Sequence, residues 1–193
     1  MNISDNLRLL IHEANAFDKA GHYINFDHIW QDPHKLKLCA EIIGQHLQLL
    51  VNDIVAGGIN KSNLVLLTPD NIGGSLGILP ISFLVAEKLE LNIAVWKEYA
   101  DVRWGTSAIL GYREANAVCI LLQDVVDQGT TAIRVAQSIK ELTWKFPVYS
   151  SVVLNSENEK KGVMQSLDKV SLILGERPVF RNIISIKELV DRE

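Results

Sequence analysis

Apolar positions in the first 60 residues recur at helical spacing; from residue 63 they condense into short continuous runs separated by helical stretches. Leu7, Leu10, Ile11, Ala14 and Phe17 mark one face of a helix predicted over residues 4 to 19, behind a Ser4 or Asp5 cap. The segment GHYINFDHIWQDP is aromatic, polar and irregular, and reads as loop or short strand. Asp32-Pro33 opens a second helix, because Asp caps well and Pro at the first helical position gives up no hydrogen bond. Leu36, Cys39, Ile43, Leu47, Leu50 and Ile54 line its inner side, and Gly57-Gly58 stops it.

Beyond residue 63, NLVLLT reads as a buried strand, GILPISFLVAEKLEL as a helix and NIAVW as a strand. After an irregular stretch come AVCILLQ as strand, TAIRVAQSIKELTWK as helix and PVYSSVVL as strand. KGVMQSLDKV reads as a helix and VSLILG as a further strand, and the chain ends in NIISIKELVDRE. Continuous apolar strands alternating with helices predict an α/β fold with a doubly wound parallel sheet covered on both faces. Residues 1–193 are read as a single domain, with an N-terminal helical cap over 1–60 and the α/β core and C-terminal tail over 61–193.

Composition changes this picture little. The 193 residues, 48% hydrophobic and 22% charged, suit a globular domain that buries roughly 70% of its unfolded surface. Nineteen basic against 23 acidic side chains give −4 with no Lys/Arg-rich run, so nothing supports binding to nucleic acid through its phosphates. The N-terminal stretch lacks a basic flank and an apolar core of the secretory kind, and NIGGSLGILPISFLVA (71–86) is too short and too broken to span a membrane. The expectation is a soluble cytoplasmic protein with no membrane partner. Cys39 and Cys119 lie within apolar periodic segments and read as reduced core residues. All five histidines fall in the first 46 residues, without metal-ligand spacing.

The candidate chemistry lies in ILLQDVVDQGTTAIRVAQSI, residues 120–139. An apolar strand there ends in a carboxylate, takes two valines and turns through Asp-Gln-Gly-Thr-Thr into a helix. In an open α/β sheet, ligands sit beyond the carboxyl ends of the strands. Gly129 permits a tight turn, the helix start offers amides and a favourable dipole end to a phosphate, and Thr130 and Thr131 add hydroxyls. Asp124 and Asp127 would repel a phosphate alone. They make sense if the ligand also carries a sugar diol or a magnesium ion, Asp124 accepting from hydroxyls or metal-bound water and Asp127 serving in proton transfer. Each of these features also occurs in loops that bind nothing. No Gly-x-x-x-x-Gly-Lys-Ser/Thr is present, and no Gly-x-Gly-x-x-Gly opens a helix after the first strand, so those two phosphate loops are excluded.

ILLQDVVDQGTTA resembles the phosphoribosyl-pyrophosphate signature of type I phosphoribosyltransferases. On that resemblance Asp124 takes the second acidic position and the metal side, Asp127 the acid/base position, and Gln128, Gly129, Thr130 and Thr131 the loop for the ribose 5′-phosphate. LLTPDNIGGSLG resembles the family's pyrophosphate loop, with Gly73 and Gly74 leaving room for backbone amides. NIAVWKEYADVRWGTSAILG resembles the strand and mobile loop of the orotate branch, in which Arg103 would offer a cation to the leaving pyrophosphate. INFDHIWQDPHKLKLCAEIIGQHL and IISIKELV resemble that branch's N-terminal helix region and tail. The resemblance implies transfer of phosphoribose from phosphoribosyl pyrophosphate to a purine, pyrimidine or orotate-like base, with Mg2+ as cofactor and a homodimer as the assembly. Two departures stand out: Gln123 replaces the first acidic residue, leaving an amide for a ribose hydroxyl, and KEYADVRWG lacks the Lys-x-His-Gly run. Lys97 reads either as a cation on the pyrophosphate side or as half of a solvated Lys-Glu pair. Tyr23, Phe26 and Trp30 could stack on a planar base or pack in the core. A regulatory module that binds phosphoribosyl pyrophosphate or nucleotide without efficient turnover is the alternative reading.

Overall fold

The structure, a computed structural model, describes residues 2–18, 23–70, 77–97, 108–155 and 157–190. It opens with α1 (Ile3–Glu13), a two-stranded antiparallel pair of β1 (Phe17–Asp18) and β2 (Tyr23–Ile24), the short α2 (Asp27–Trp30) and the long α3 (Pro33–Ala56). The first helix is shorter than its apolar spacing predicts. Asn15 adopts φ 50° and the Ala16 N–H bonds back to the Ile11 carbonyl, which turns Phe17 out into β1. The second begins as predicted. One Asp32 carboxylate oxygen accepts from the backbone N–H groups of His34 (2.9 Å) and Lys35 (3.4 Å), with Pro33 in the first turn. Cys39, Ile43 and Leu47 are fully buried along α3.

The remaining strands are β3 (Leu64–Pro69), β4 (Asn92–Trp96), β5 (Ile109–Gly111), β6 (Val118–Val126), β7 (Lys145–Leu154) and β8 (Val179–Ser185), in the sheet order β5-β4-β3-β6-β7-β8. Side-chain alternation divides them between two apolar layers. Leu64, Leu66, Ile120 and Leu122 pack on one face with α1, α3, α4 (Leu79–Leu89) and α7 (Ile186–Val190). Val65, Leu67, Cys119 and Leu121 pack on the other with α5 (Thr130–Lys140) and α6 (Glu157–Leu174). The α/β class and the covering of both faces thus follow from the continuous apolar strands.

Two expectations are corrected. The sheet is mixed, because β5 runs antiparallel to β4 at the edge, with Ala94 opposite Gly111 and Trp96 opposite Ile109. A three-residue edge strand pairs on one side only and needs no long apolar run, so the pattern does not announce it. VSLILG is not a strand: it forms the end of α6 and the turn after it. Val163, Leu167 and Val170 are buried at helical spacing while Leu172 is 88% exposed, a pattern that an alternating strand would not produce. Gly175, at φ +80°, follows the helix and β8 starts at Val179.

Chain direction locates the site. From β3 the chain steps through α4 to β4 on one side; after β5 it crosses to β6 on the other side of β3 and continues to β7 and β8. The reversal falls between β3 and β6, and the carboxyl ends of strands at such a topological switch point are where open α/β sheets hold ligands.

Candidate functional site

β6 ends at that switch point, and the turn 127–129 hands the chain to α5. Gly129 has φ +70° and ψ 19°, a left-handed conformation that lets the strand stop and the helix start within three residues. A Cβ there would meet Val163 Cα at 3.3 Å and Ser166 Cβ at 3.5 Å, so α6 backs the turn closely. The loop is pinned from both neighbours. Ser166 Oγ donates to the Gln128 carbonyl (2.6 Å), the Asn155 N–H donates to the Val126 carbonyl (3.0 Å), and the Asn155 side-chain amide donates to Asp127 Oδ1.

Gln123, Asp127, Gln128, Gly129, Thr130 and Thr131 line one cavity of about 120 Å³, together with Val125, Val126 and Tyr149. Six residues singled out from the sequence are therefore gathered at one place, beside the N-terminus of α5. Asp124 is not among those lining residues. Its Oδ1 accepts from the Val125 N–H (2.9 Å), and strand alternation carries its side chain toward the opposite face from Gln123. Lys97 follows β4, separated from β6 by β3, and its backbone N–H donates to Ala108 O (2.8 Å). Gly73, Gly74 and Arg103 lie outside the described residues.

Gln123 is held at both ends. Its Nε2 donates to the Val125 carbonyl (3.0 Å), and its Oε1 accepts from the Tyr149 hydroxyl (2.7 Å). A carbonyl can only accept, so the amide nitrogen must face Val125 and the amide oxygen must face Tyr149. Burial, then the Asp124 and Asp127 carboxylates, push the Tyr149 hydroxyl well above the ordinary tyrosine range, which keeps it an O–H donor. Sequence reading missed Tyr149. Its partner lies 26 positions away, and only the parallel register of β6 on β7, with Leu121 beside Tyr149 and Gln123 beside Ser151, brings the two together.

These donors do not fit a metal ion that the protein would hold by itself. The first acidic position is an amide with one hydrogen and one lone pair already committed, and a carboxylate oxygen of Asp124 and of Asp127 each accepts from the chain. Among the described residues no group of three or more His, Cys, Asp or Glu side chains could hold a metal.

Elsewhere, Phe26 is buried in the core and the Trp30 indole N–H donates to Asp27 (3.0 Å). Cys39 and Cys119 are buried free thiols, and burial pushes Cys39 up to about 12. A larger cavity of about 500 Å³, not anticipated from the sequence, lies on the flank of the sheet between Trp96, Ile109 and the Arg134–Leu142 face of α5 and its end. Among the described residues no helix is long and apolar enough to cross a membrane.

The mixed open sheet with its flanking helices shares the fold of solved type I phosphoribosyltransferases. The chain superposes on a phosphoribosyltransferase from Corynebacterium diphtheriae with a TM-score of 0.66 at 16% identity, covering 98% of this chain and 99% of that one. It also matches the UMP synthase of Leishmania donovani, with a TM-score of 0.63 at 14% identity over 96% of this chain and 37% of that one. In sequence, the transcriptional regulator GfcR of Methanococcoides burtonii is 30% identical over 92 residues, 45% of this chain and 45% of that protein. The aligned part thus spans less than half the length of that curated relative. No family model matches the chain. At such identities the structural likeness shows the fold and does not single out the orotate branch.

Proposed function

We propose that the chain binds phosphoribosyl pyrophosphate at the end of β6 and transfers phosphoribose to a nitrogen of a base. The observation that carries this reading is the loop 127–131: a left-handed glycine opens a helix N-terminus with two threonines onto a cavity that Asp127 and Gln123 also line. The amides at the start of α5 and the Thr130 and Thr131 hydroxyls suit a 5′-phosphate, and Gln123 offers an amide to a ribose hydroxyl. The C1–O bond to pyrophosphate breaks and its electron pair leaves with pyrophosphate, while a C1–N bond forms to the acceptor. Asp127 takes the proton that the acceptor nitrogen sheds, provided the base stands within hydrogen-bond reach. Asn155, donating to one oxygen of Asp127, fixes the carboxyl and leaves the other oxygen for that proton. The acceptor is a purine, pyrimidine or orotate-like base.

The second reading is a binding module without efficient turnover, and two observations favour it. Gln123 supplies no charge where the family resemblance expects a carboxylate, and the sequence relative is a transcriptional regulator by name. One pair of assays separates the two. Phosphoribosyl pyrophosphate at a hundredfold excess over its dissociation constant should stabilise the protein by about 2.7 kcal/mol. Transfer predicts pyrophosphate release with at least one base from a panel of purines, pyrimidines and orotate. Stabilisation without release would replace the first reading with the second, and no stabilisation would overturn both.

A further inference from the structure

We infer that Tyr149 and Val125 lock Gln123 as an amide, so that the site takes the ribose end of a 5-phosphoribosyl ligand without a magnesium ion. The inference rests on the proposal that this loop binds such a ligand, and it is carried by the geometry around one side chain. A glutamine amide has two N–H donors and two acceptor lone pairs. The Val125 carbonyl takes one hydrogen and the Tyr149 hydroxyl one lone pair. One donor and one acceptor remain, at a position half-buried on the wall of the cavity. That remainder matches a sugar hydroxyl, which both donates and accepts. A hydrated cation matches only half of it, since its waters donate to the remaining lone pair but offer the N–H no acceptor.

The frame also rejects the carboxylate that would serve a metal. A glutamate at position 123 would direct one oxygen at the Val125 carbonyl, acceptor against acceptor, at the place where the amide nitrogen stands 3.0 Å away. The amide is therefore required by its surroundings and is not a carboxylate lost in isolation. Tyr149 acts through Gln123: it is a positioning residue, buried between Phe146 and Phe180, with ring centroids 6.4 Å and 5.5 Å from theirs. Among the described residues lining the cavity Asp127 is the remaining carboxylate, and the oxygen that Asn155 leaves open is the one that takes the acceptor's proton.

Calorimetric titration of the full chain tests this, with phosphoribosyl pyrophosphate, ribose 5-phosphate and inorganic phosphate, each in magnesium and again in EDTA. The dissociation constant of ribose 5-phosphate, which lacks the pyrophosphate that itself chelates magnesium, should change by less than about twofold between the two conditions. Binding that appears only with magnesium, or strengthens there by about tenfold or more, would overturn the inference and leave the 5-phosphoribosyl reading standing. No binding of any of the three ligands in either condition would overturn both. Tyr149→Phe removes only the hydroxyl that orients the amide. It should weaken ribose 5-phosphate by about five- to tenfold and leave inorganic phosphate unchanged, since the proposal seats phosphate on Gln128 to Thr131 and the sugar hydroxyl on Gln123. Equal losses for both ligands would mean that Tyr149 supports the loop as a whole, against the positioning role. Gln123→Glu, read on the same titration, should weaken ribose 5-phosphate binding, because a carboxylate oxygen would face the Val125 carbonyl; an unchanged dissociation constant would overturn the lock.

Discussion

Gly129 bears more of the site than any other residue in the loop, because two demands meet there. Its φ of +70° is strained for any side chain, and α6 leaves only 3.3 Å between an added Cβ and Val163 Cα. Gly129→Ala should therefore cost about 1–3 kcal/mol in urea unfolding. It should also abolish stabilisation by phosphoribosyl pyrophosphate, since turning the backbone re-aims the first amides of α5. Unfolding free energy and ligand-induced shift, measured on the same sample, check both, and an unchanged shift would remove the helix start from the site. Such residues are legible in a sequence because the stretch 123–131 is contiguous: strand end, turn and helix start lie side by side in the chain. Tyr149 and Asn155 are equally part of the loop's geometry and are not legible, since strand register and not chain neighbourhood delivers them. A tyrosine within an apolar strand looks like core, and Tyr149 is indeed fully buried; its hydroxyl alone belongs to the site.

At the scale of elements, apolar periodicity locates those that bury a whole face and fails for those that do not. The strands β3, β4, β6 and β7 and the helices α3, α4 and α5 each carry a continuous run or a full apolar stripe, and each is found close to its predicted place. β5 has three residues and one partner, so its signal is conformational and sits in Gly111. That residue has φ +89°, and a Cβ on it would come within 2.8 Å of the Ile93 carbonyl oxygen, a contact no side chain makes without backbone movement. Gly111→Ala should thus loosen the edge strand and little else, at a cost of about 1–3 kcal/mol. Hydrogen exchange gives the local readout: the amides of Lys97 and Tyr112, bonded to Ala108 O (2.8 Å) and Ile93 O (3.1 Å), should exchange faster than in the native chain. Protection on β6 and β7 should persist. A uniform loss of protection would instead make β5 a support for the whole sheet. The misassigned VSLILG shows the converse limit, because a short apolar run is compatible with both periods until the residues before it are counted in phase with it.

The whole molecule is held together across its layers by the apolar cluster that α1, α3 and α4 share with one sheet face, and polar contacts cross that boundary as well: Ser82 Oγ on α4 donates to Thr68 Oγ1 on β3 (3.2 Å), and α3 reaches β7. His46 on α3 places Nε2 3.3 Å from Ser150 Oγ on β7, and Ser150 pairs in register with Arg181 on β8. Burial first, and the Arg181 guanidinium second, hold the His46 imidazole below the ordinary histidine value of 6.5. The sign of the resulting pH dependence follows from proton counting. Above about pH 6.5 the imidazole is neutral in both states and costs nothing. As pH falls through that value the unfolded chain takes a proton that the folded chain refuses, so the unfolded state gains and stability declines. The decline stops only when the folded imidazole itself protonates, at a lower pH, against the charge of Arg181. His46→Gln keeps a polar partner for Ser150 and cannot titrate. Urea midpoints measured from about pH 7.5 to about pH 5 should therefore fall more steeply for the native chain than for the variant. Parallel curves would show that the helical layer and the sheet are joined without this histidine's titration. A steeper native curve would mark His46 as the place where mild acid first works the helical layer loose from the strands that carry the site.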